Sequence, residues 1–154
     1  QAGIVIKNAL FRMPSKADYR AVPRVTYTTP ELAQVGVNED TAKRNGETYR
    51  ILRWAFCEND RARTEKQTEG LIKAIVTPKG SILGCGIVGA HAGELIQPWV
   101  FAMTNKLKIK ALAQIVVPYP TFGEISKRAA ISFYTPSLFS NRTRKLVKFL
   151  SKFG

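Results

Sequence analysis

The chain has 154 residues, 45% of them hydrophobic and 10% aromatic, which suits one globular core and argues against disorder. No apolar run reaches the roughly 20 residues of a membrane-spanning helix, so a helical span is excluded. Lys and Arg number 24 against 11 Asp and Glu, a formal charge of +13, so a nucleic acid or an anionic membrane is the first partner class to weigh.

The chain opens Gln-Ala-Gly-Ile-Val-Ile-Lys, without Met and without a charged segment followed by an apolar one. We read it as a fragment lacking a signal peptide. Ile4, Val5, Ala9 and Leu10 are near helical spacing, predicting a helix from Ala2 to Phe11 that Arg12-Met13-Pro14-Ser15 ends. Val25 to Thr28, β-branched and aromatic between Pro23 and Pro30, predicts a short strand. Asn38 is placed to cap a short helix through Lys43-Arg44, stopped by Asn45-Gly46. From Tyr49 to Phe56, Leu52, Trp54 and Phe56 alternate with Arg53 and Ala55, the period of a half-buried strand. Asn59 to Glu69 is polar and reads as a loop, while Gly70–Thr77 and Ser81–Gly89 flank Pro78-Lys79-Gly80 as an antiparallel hairpin. Leu95, Ile96, Trp99, Val100 and Met103 predict a helix over Ala92–Asn105, with Pro98 kinking it or marking a first turn. Lys110–Val117, Glu124–Phe133 and Thr143–Phe153 complete the predicted helices. Strands first and helices afterwards indicate an α+β fold, an antiparallel β-sheet with flanking helices over one face.

Charge is uneven. Residues 1–77 hold 13 basic and 9 acidic side chains and residues 78–154 hold 11 and 2. After Glu94 the one carboxylate is Glu124, while Arg142, Arg144, Lys145, Lys148 and Lys152 follow. Cys57 and Cys85 fit no redox-pair or metal-site spacing and read as two reduced strand residues. With no signal peptide, this points to a cytoplasmic location. His91 stands alone before a helix, as a surface or capping residue or a general base, and a structural zinc site is excluded. Gly84-Cys85-Gly86-Ile87-Val88-Gly89 misses the dinucleotide fingerprint because it lies in a hairpin strand, where its glycines permit close backbone packing.

The unusual constellation is Pro118-Tyr119-Pro120-Thr121-Phe122-Gly123-Glu124. Two prolines restrict Tyr119 and make Tyr119–Pro120 a candidate cis bond. The stretch would hold a phenol and a carboxylate near each other, or would simply be a capping box with Thr121 as N-cap and Glu124 at its third position.

Five segments in order resemble the C-terminal dimerisation domain of the pyridine nucleotide-disulfide oxidoreductases, such as dihydrolipoamide dehydrogenase, glutathione reductase and mercuric reductase. They are the stretch from Val22 to Gly36, Asn59-Asp60-Arg61-Ala62, the run Ile82 to Gly89, Ala92-Gly93-Glu94-Leu95-Ile96, and Tyr119 to Glu124. The resemblance implies residues 1–20 as the end of a preceding FAD-binding domain and 21–137 as the dimerisation domain, while 138–154, by spacing and charge a basic amphipathic helix, departs from the family's common pattern. It also implies a homodimer, FAD and NAD(P)H as cofactors of the full-length protein, upstream FAD- and NAD(P)-binding domains, and an isolated fragment that is inactive and holds no cofactor. The family's His-Pro-Thr-x-x-Glu motif reaches the partner's flavin and cysteine pair, which assigns site roles to Tyr119 and Glu124, with Pro120 and Thr121 at the cofactor. The departure is Tyr119 itself. A histidine with a pKa of about 6.5 exchanges protons at neutral pH, whereas a phenol near about 10 is mainly a hydrogen-bond donor. The resemblance leaves the electron acceptor open, because this chain ends Ser151-Lys152-Phe153-Gly154 and lacks the terminal cysteine pair of the mercuric reductases.

Leu146, Phe149, Leu150 and Phe153 form one face of the last helix and Lys145, Lys148 and Lys152 the other. The expectation is that this stripe docks on its own protein, with weak peripheral membrane contact as the alternative. Trp99, Phe101, Phe122 and Phe133 are candidates for a dimer surface. Two further functions compete: a purely structural dimerisation module without a site contribution, and a nucleic-acid binder. The second is disfavoured because strand alternation places Tyr27, Trp54 and Phe56 in a core.

Overall fold

The computed structural model describes residues 2–16 and 19–152. Phe153, expected on the apolar face of the last helix, and Gln1, at the start of the arm, lie outside the described residues. Helix α1 (Ala2–Ala9) buries no side chain. Strands β1 (Arg24–Thr26) and β2 (Glu31–Gly36) precede α2 (Glu39–Arg44), and β3 (Arg50–Ala55) precedes a 3-10 turn (Phe56–Glu58) and α3 (Asp60–Thr64). The hairpin β4 (Leu71–Val76) and β5 (Ile82–Gly89) leads into α4 (Ala92–Leu95), α5 (Gln97–Thr104), α6 (Ile109–Gln114), α7 (Glu124–Ser132), α8 (Thr135–Leu138) and α9 (Asn141–Leu150).

The sheet is antiparallel throughout, in the order β1-β2-β5-β4-β3. Register places Ala33 opposite Ile87 and Val35 opposite Cys85. Across the hairpin Ile72 meets Ile87 and Ala74 meets Cys85, and Leu52 meets Ala74 at the far side. This face joins Ala92, Leu95, Ile96, Trp99, Ile109, Leu112, Ile125 and Ala129 from α4 to α7 in one buried cluster. The α+β expectation therefore holds. On the other face Glu39 of α2 accepts from Lys73 Nζ at 3.2 Å.

Asn38 caps α2 as expected, its Oδ1 accepting the Thr41 amide at 2.8 Å. The Pro78-Lys79-Gly80 turn closes with the Gly80 amide donating to the Thr77 carbonyl at 2.9 Å. Close backbone packing at the glycines is also found. A Cβ on Gly84 would collide with the Val37 carbonyl, and one on Gly89, at φ 152°, with the Phe56 ring. Pro98 lies in the first turn of α5, dividing the expected Ala92–Asn105 helix into α4 and α5.

Other expectations are corrected. Strand β2 escaped the sequence reading because it begins after Pro30 and carries the polar Glu31 and Gln34; pairing on both sides makes it a strand. The expected loop at 59–69 contains α3, which forms because Asn59 caps it. Helix α8 was also missed, and the Lys110–Val117 helix is instead Ile109–Gln114, with Val116 95% exposed. Tyr27 lies beyond the end of β1 and is 80% exposed, outside the core expected for it. Trp99 is fully buried, its Nε1 donating to Ser126 Oγ at 3.0 Å, so it is not a surface group for a partner. Phe101 is exposed, while Phe122 and Phe133 are half-buried. Cys57 sits in the 3-10 turn rather than a strand, and both thiols are free. Helix α9 has no fully buried side chain, and Phe149 on its apolar stripe has an interaction partner.

Candidate functional site

The site grows from two segments far apart in sequence. The chain leaves β3 through the 3-10 turn, whose Phe56 is fully buried, and reaches Asn59, 4% exposed. A buried amide must use its donors and acceptor. Asn59 Oδ1 takes the Ala62 amide at 2.9 Å and caps α3, while Nδ2 donates to the Thr121 carbonyl at 3.1 Å. One side chain therefore ties α3 to the Pro118–Glu124 stretch.

That stretch is braced further. Tyr119–Pro120 is cis, as the flanking prolines suggested, and Thr29–Pro30 is cis as well. Thr121 Oγ1 donates to the Pro118 carbonyl at 2.8 Å. The Phe122 ring packs against Phe56 and against His91, with centroids 6.2 and 5.0 Å away. His91 occupies the N-cap position of α4 in the left-handed region but makes no side-chain cap bond.

The outcome is an exposed phenol on a fixed loop. Tyr119 is 69% exposed, and its hydroxyl donates to Asp60 Oδ2 at 2.9 Å, in the first turn of α3. This hydrogen bond, followed by the Asp60 charge, raises the phenol pKa above its ordinary value; the Glu124 charge adds slightly and Arg128 opposes. The carboxylate that holds the hydroxyl is Asp60, while Glu124 and Arg128 act on it only through their charges. The sequence reading paired Tyr119 with Glu124 and gave Asp60 no role. The available signal was Asn59-Asp60 ahead of Ala62, a cap pattern within a segment read as a loop.

The capping-box alternative is corrected too. Gly123, not Thr121, is the N-cap of α7, without a side-chain cap bond, and Glu124 is the first helical residue. Thr121 Oγ1 donates to the Pro118 carbonyl, and the Glu124 amide donates to the Thr121 backbone carbonyl at 3.4 Å instead of to its hydroxyl. Pro120 is exposed beside Tyr119 and Thr121 is half-buried. The one phenolic proton goes to Asp60, so the arrangement presents the phenol oxygen's lone pairs to a neighbouring group and frees a donor only when that bond is released. With its pKa raised the phenol itself is no base at neutral pH, and no three His, Cys, Asp or Glu side chains are grouped as a metal site among the described residues.

Residues 22–130 match the dimerisation domain of the pyridine nucleotide-disulphide oxidoreductases. The chain is 33% identical over 140 residues to the mitochondrial dihydrolipoyl dehydrogenase of Caenorhabditis elegans, covering 90% of this chain and 28% of that protein. With leghemoglobin reductase of Glycine max it shares 37% over 118 residues, 76% of this chain and 23% of the relative. Among solved structures, LpdA from Mycobacterium tuberculosis superposes with a TM-score of 0.77 at 28% identity over 84% of this chain and 28% of that one. The copper(II) complex of RclA, an HOCl-induced flavoprotein disulfide reductase from Escherichia coli, gives 0.77 at 26% identity, over 84% and 30%.

The antiparallel sheet with its flanking helices is thus a dimerisation domain, and the chain belongs to the pyridine nucleotide-disulphide oxidoreductase family. It spans 28% of the length of the Caenorhabditis elegans relative.

Proposed function

We propose that this chain is the dimer-forming part of an FAD- and NAD(P)H-dependent oxidoreductase and presents Tyr119 to the active site of the partner subunit. The observation that carries the reading is the Tyr119 hydroxyl, exposed on a braced loop and engaged by Asp60 at 2.9 Å. A side chain with no role beyond its own subunit has little reason to be held in solvent by a tie between two distant segments. Pro120 and Thr121, on the same loop, would help hold the cofactor, and Glu124 and Arg128 tune the field at the phenol.

The described residues do not form a dinucleotide cradle. Gly84 and Gly89 of β5 are packed against Val37 and Phe56. FAD and NAD(P)H therefore fall to upstream domains of the same chain, and the fragment alone is inactive. When bound, the flavin supplies electron transfer between the nicotinamide and an acceptor. This chain's part is to close the site from the other subunit, exclude water beside Tyr119 and hold one proton on its hydroxyl. With its proton held on Asp60 and its pKa raised, Tyr119 stays protonated and does not abstract protons from a dithiol. Acceptors whose reduction needs no protein base suit the site best.

Exposed Phe101, Leu107 and Val116 supply apolar surface for the homodimer in place of Trp99. The free cysteines fit a reducing compartment, the cytoplasm or an organelle such as the mitochondrion named for several relatives. No described helix is long and apolar enough to cross a membrane.

The test is Tyr119→Phe in the full-length homodimer, with steady-state kinetics over disulfide, quinone and metal-ion acceptors. Lower turnover with unchanged dimer mass is expected. Unchanged kinetics with every acceptor would remove the role, and a Tyr119/Glu124 double variant that keeps both dimerisation and activity would leave a purely structural module.

A further inference from the structure

We propose that His91 is a positioning residue for the loop that carries Tyr119, acting through the packing of its imidazole on Phe122. Its purpose rests on Tyr119 being presented to the partner subunit's site, and the residue itself lies on a different connection, between β5 and α4. His91 is the N-cap of α4, at φ 59° and ψ 24°. Glycine adopts this left-handed backbone freely, whereas a side chain with a Cβ does so at a cost. An N-cap side chain ordinarily offsets its cost by accepting a helix amide. The His91 side chain makes no such bond and is exposed. Other groups hold the start of α4: Glu31 Oε2 on β2 accepts the Gly93 amide at 2.9 Å, and the His91 carbonyl accepts the Glu94 and Leu95 amides at 3.0 and 2.9 Å. For the helix alone a glycine would serve as well, so the strained backbone points to a task for the ring.

That task is visible in the ring contacts. The imidazole centroid lies 5.0 Å from that of Phe122 with the planes at 59°, and the Phe122 centroid lies 6.2 Å from that of Phe56 at 44°. Both separations fall in the range of attractive aromatic pairs. Phe56 is fully buried and gives Phe122 a fixed neighbour in the core. His91 gives it a second, from a connection tied to β2 and α4. Phe122 directly follows Thr121, whose carbonyl Asn59 grips at 3.1 Å, and the same loop sets the Tyr119 hydroxyl 2.9 Å from Asp60. Asn59 therefore fixes the loop through its backbone and His91 through its next side chain. Without the imidazole the half-buried Phe122 gains freedom to turn, and a hydrogen bond that depends on distance and angle loosens with it.

The experiment uses the full-length homodimer with His91→Gly and His91→Asn, which both suit the left-handed backbone and remove the ring packing, and His91→Phe, which keeps a ring. The urea midpoint is expected to hold or rise in the glycine variant, because backbone strain is relieved there. In both ringless variants the Tyr119 phenol, followed by 13C resonances of the tyrosine ring, should titrate closer to its ordinary value, because the bond to Asp60 loosens. Their kcat should fall roughly tenfold or more with KM for NAD(P)H unchanged, since about 1 Å of misplacement can cost roughly 100-fold. The phenylalanine variant should keep the native titration and kcat. An unmoved Tyr119 titration in the ringless variants overturns the proposal, and so does an equal shift in all three. Unchanged kcat in the ringless variants, where Tyr119→Phe lowers it, overturns it as well. Unchanged kinetics in Tyr119→Phe would instead remove the role of Tyr119, and the titration alone would then decide whether His91 positions the loop.

Discussion

Replacing Asn59 is the most informative perturbation of the site, because that side chain makes two separable contacts. Its Oδ1 caps α3 through the Ala62 amide, and its Nδ2 holds the Thr121 carbonyl. Asn59→Ala removes both: the cap at about 1 kcal/mol and the second hydrogen bond at about 1 kcal/mol net. Asn59→Ser keeps an acceptor at the cap but is too short to reach Thr121, so it should cost only about 1 kcal/mol. With a urea slope of about 2 kcal/mol per molar, the unfolding midpoint should fall by about 1 M for alanine and about 0.5 M for serine. Hydrogen exchange supplies the local check. The Ala62 amide should lose protection in the alanine variant and keep it in the serine variant. Equal destabilisation by the two substitutions, or an alanine effect below about 0.5 kcal/mol, would refute the claim that one buried amide ties the two segments together.

Three further predictions concern neighbouring features. Asp60→Asn should bring the Tyr119 phenol back down toward about 10, read by 13C resonances of the tyrosine ring and assigned with Tyr119→Phe; an unmoved titration contradicts the pairing. Because the folded value is raised, the stabilisation from this pair is fully present below the ordinary value of about 10. It is lost as pH rises through the raised value, a sensitivity that Asp60→Asn should remove. Native protein should react at one fast thiol, exposed Cys57, and at a second only on unfolding, since Cys85 is buried and its pKa is pushed well up by that burial; two fast thiols would show the core placement to be wrong. Gly84→Ala should cost about 3 kcal/mol by forcing β5 away from Val37, whereas Gly3→Ala, in open space, should cost nothing measurable by the same urea titration.

How much could be read in advance varied with the range of the interaction involved. The Asn38 cap, the Pro78-Lys79-Gly80 hairpin and the alternation of Leu52 and Phe56 are recorded within a few residues, and each was legible. Strand β2 was not, because Glu31 and Gln34 become strand residues through partners on β1 and β5. Tyr27 and Trp99 exchanged their expected places for a related reason. Tyr27 lies past the paired end of β1, while Trp99 has Ser126, 27 positions away, as its hydrogen-bond partner.

The site divides along the same line. The sequence by itself determined the family through the order of its segments, the stiffness of Pro118-Tyr119-Pro120 and the presence of a phenol where a proton-exchanging imidazole would be expected. It also determined the isolation of Glu124 among late cations. Only the tertiary structure decided which carboxylate holds the phenol. Glu124 is five positions from Tyr119 and was the natural choice, yet the hydroxyl goes to Asp60, 59 positions away, because Asn59 fastens α3 against Thr121. A hydrogen bond depends on distance in space. Where a buried side chain brings two remote segments within 3.1 Å of each other, nearness in sequence ceases to choose the partner.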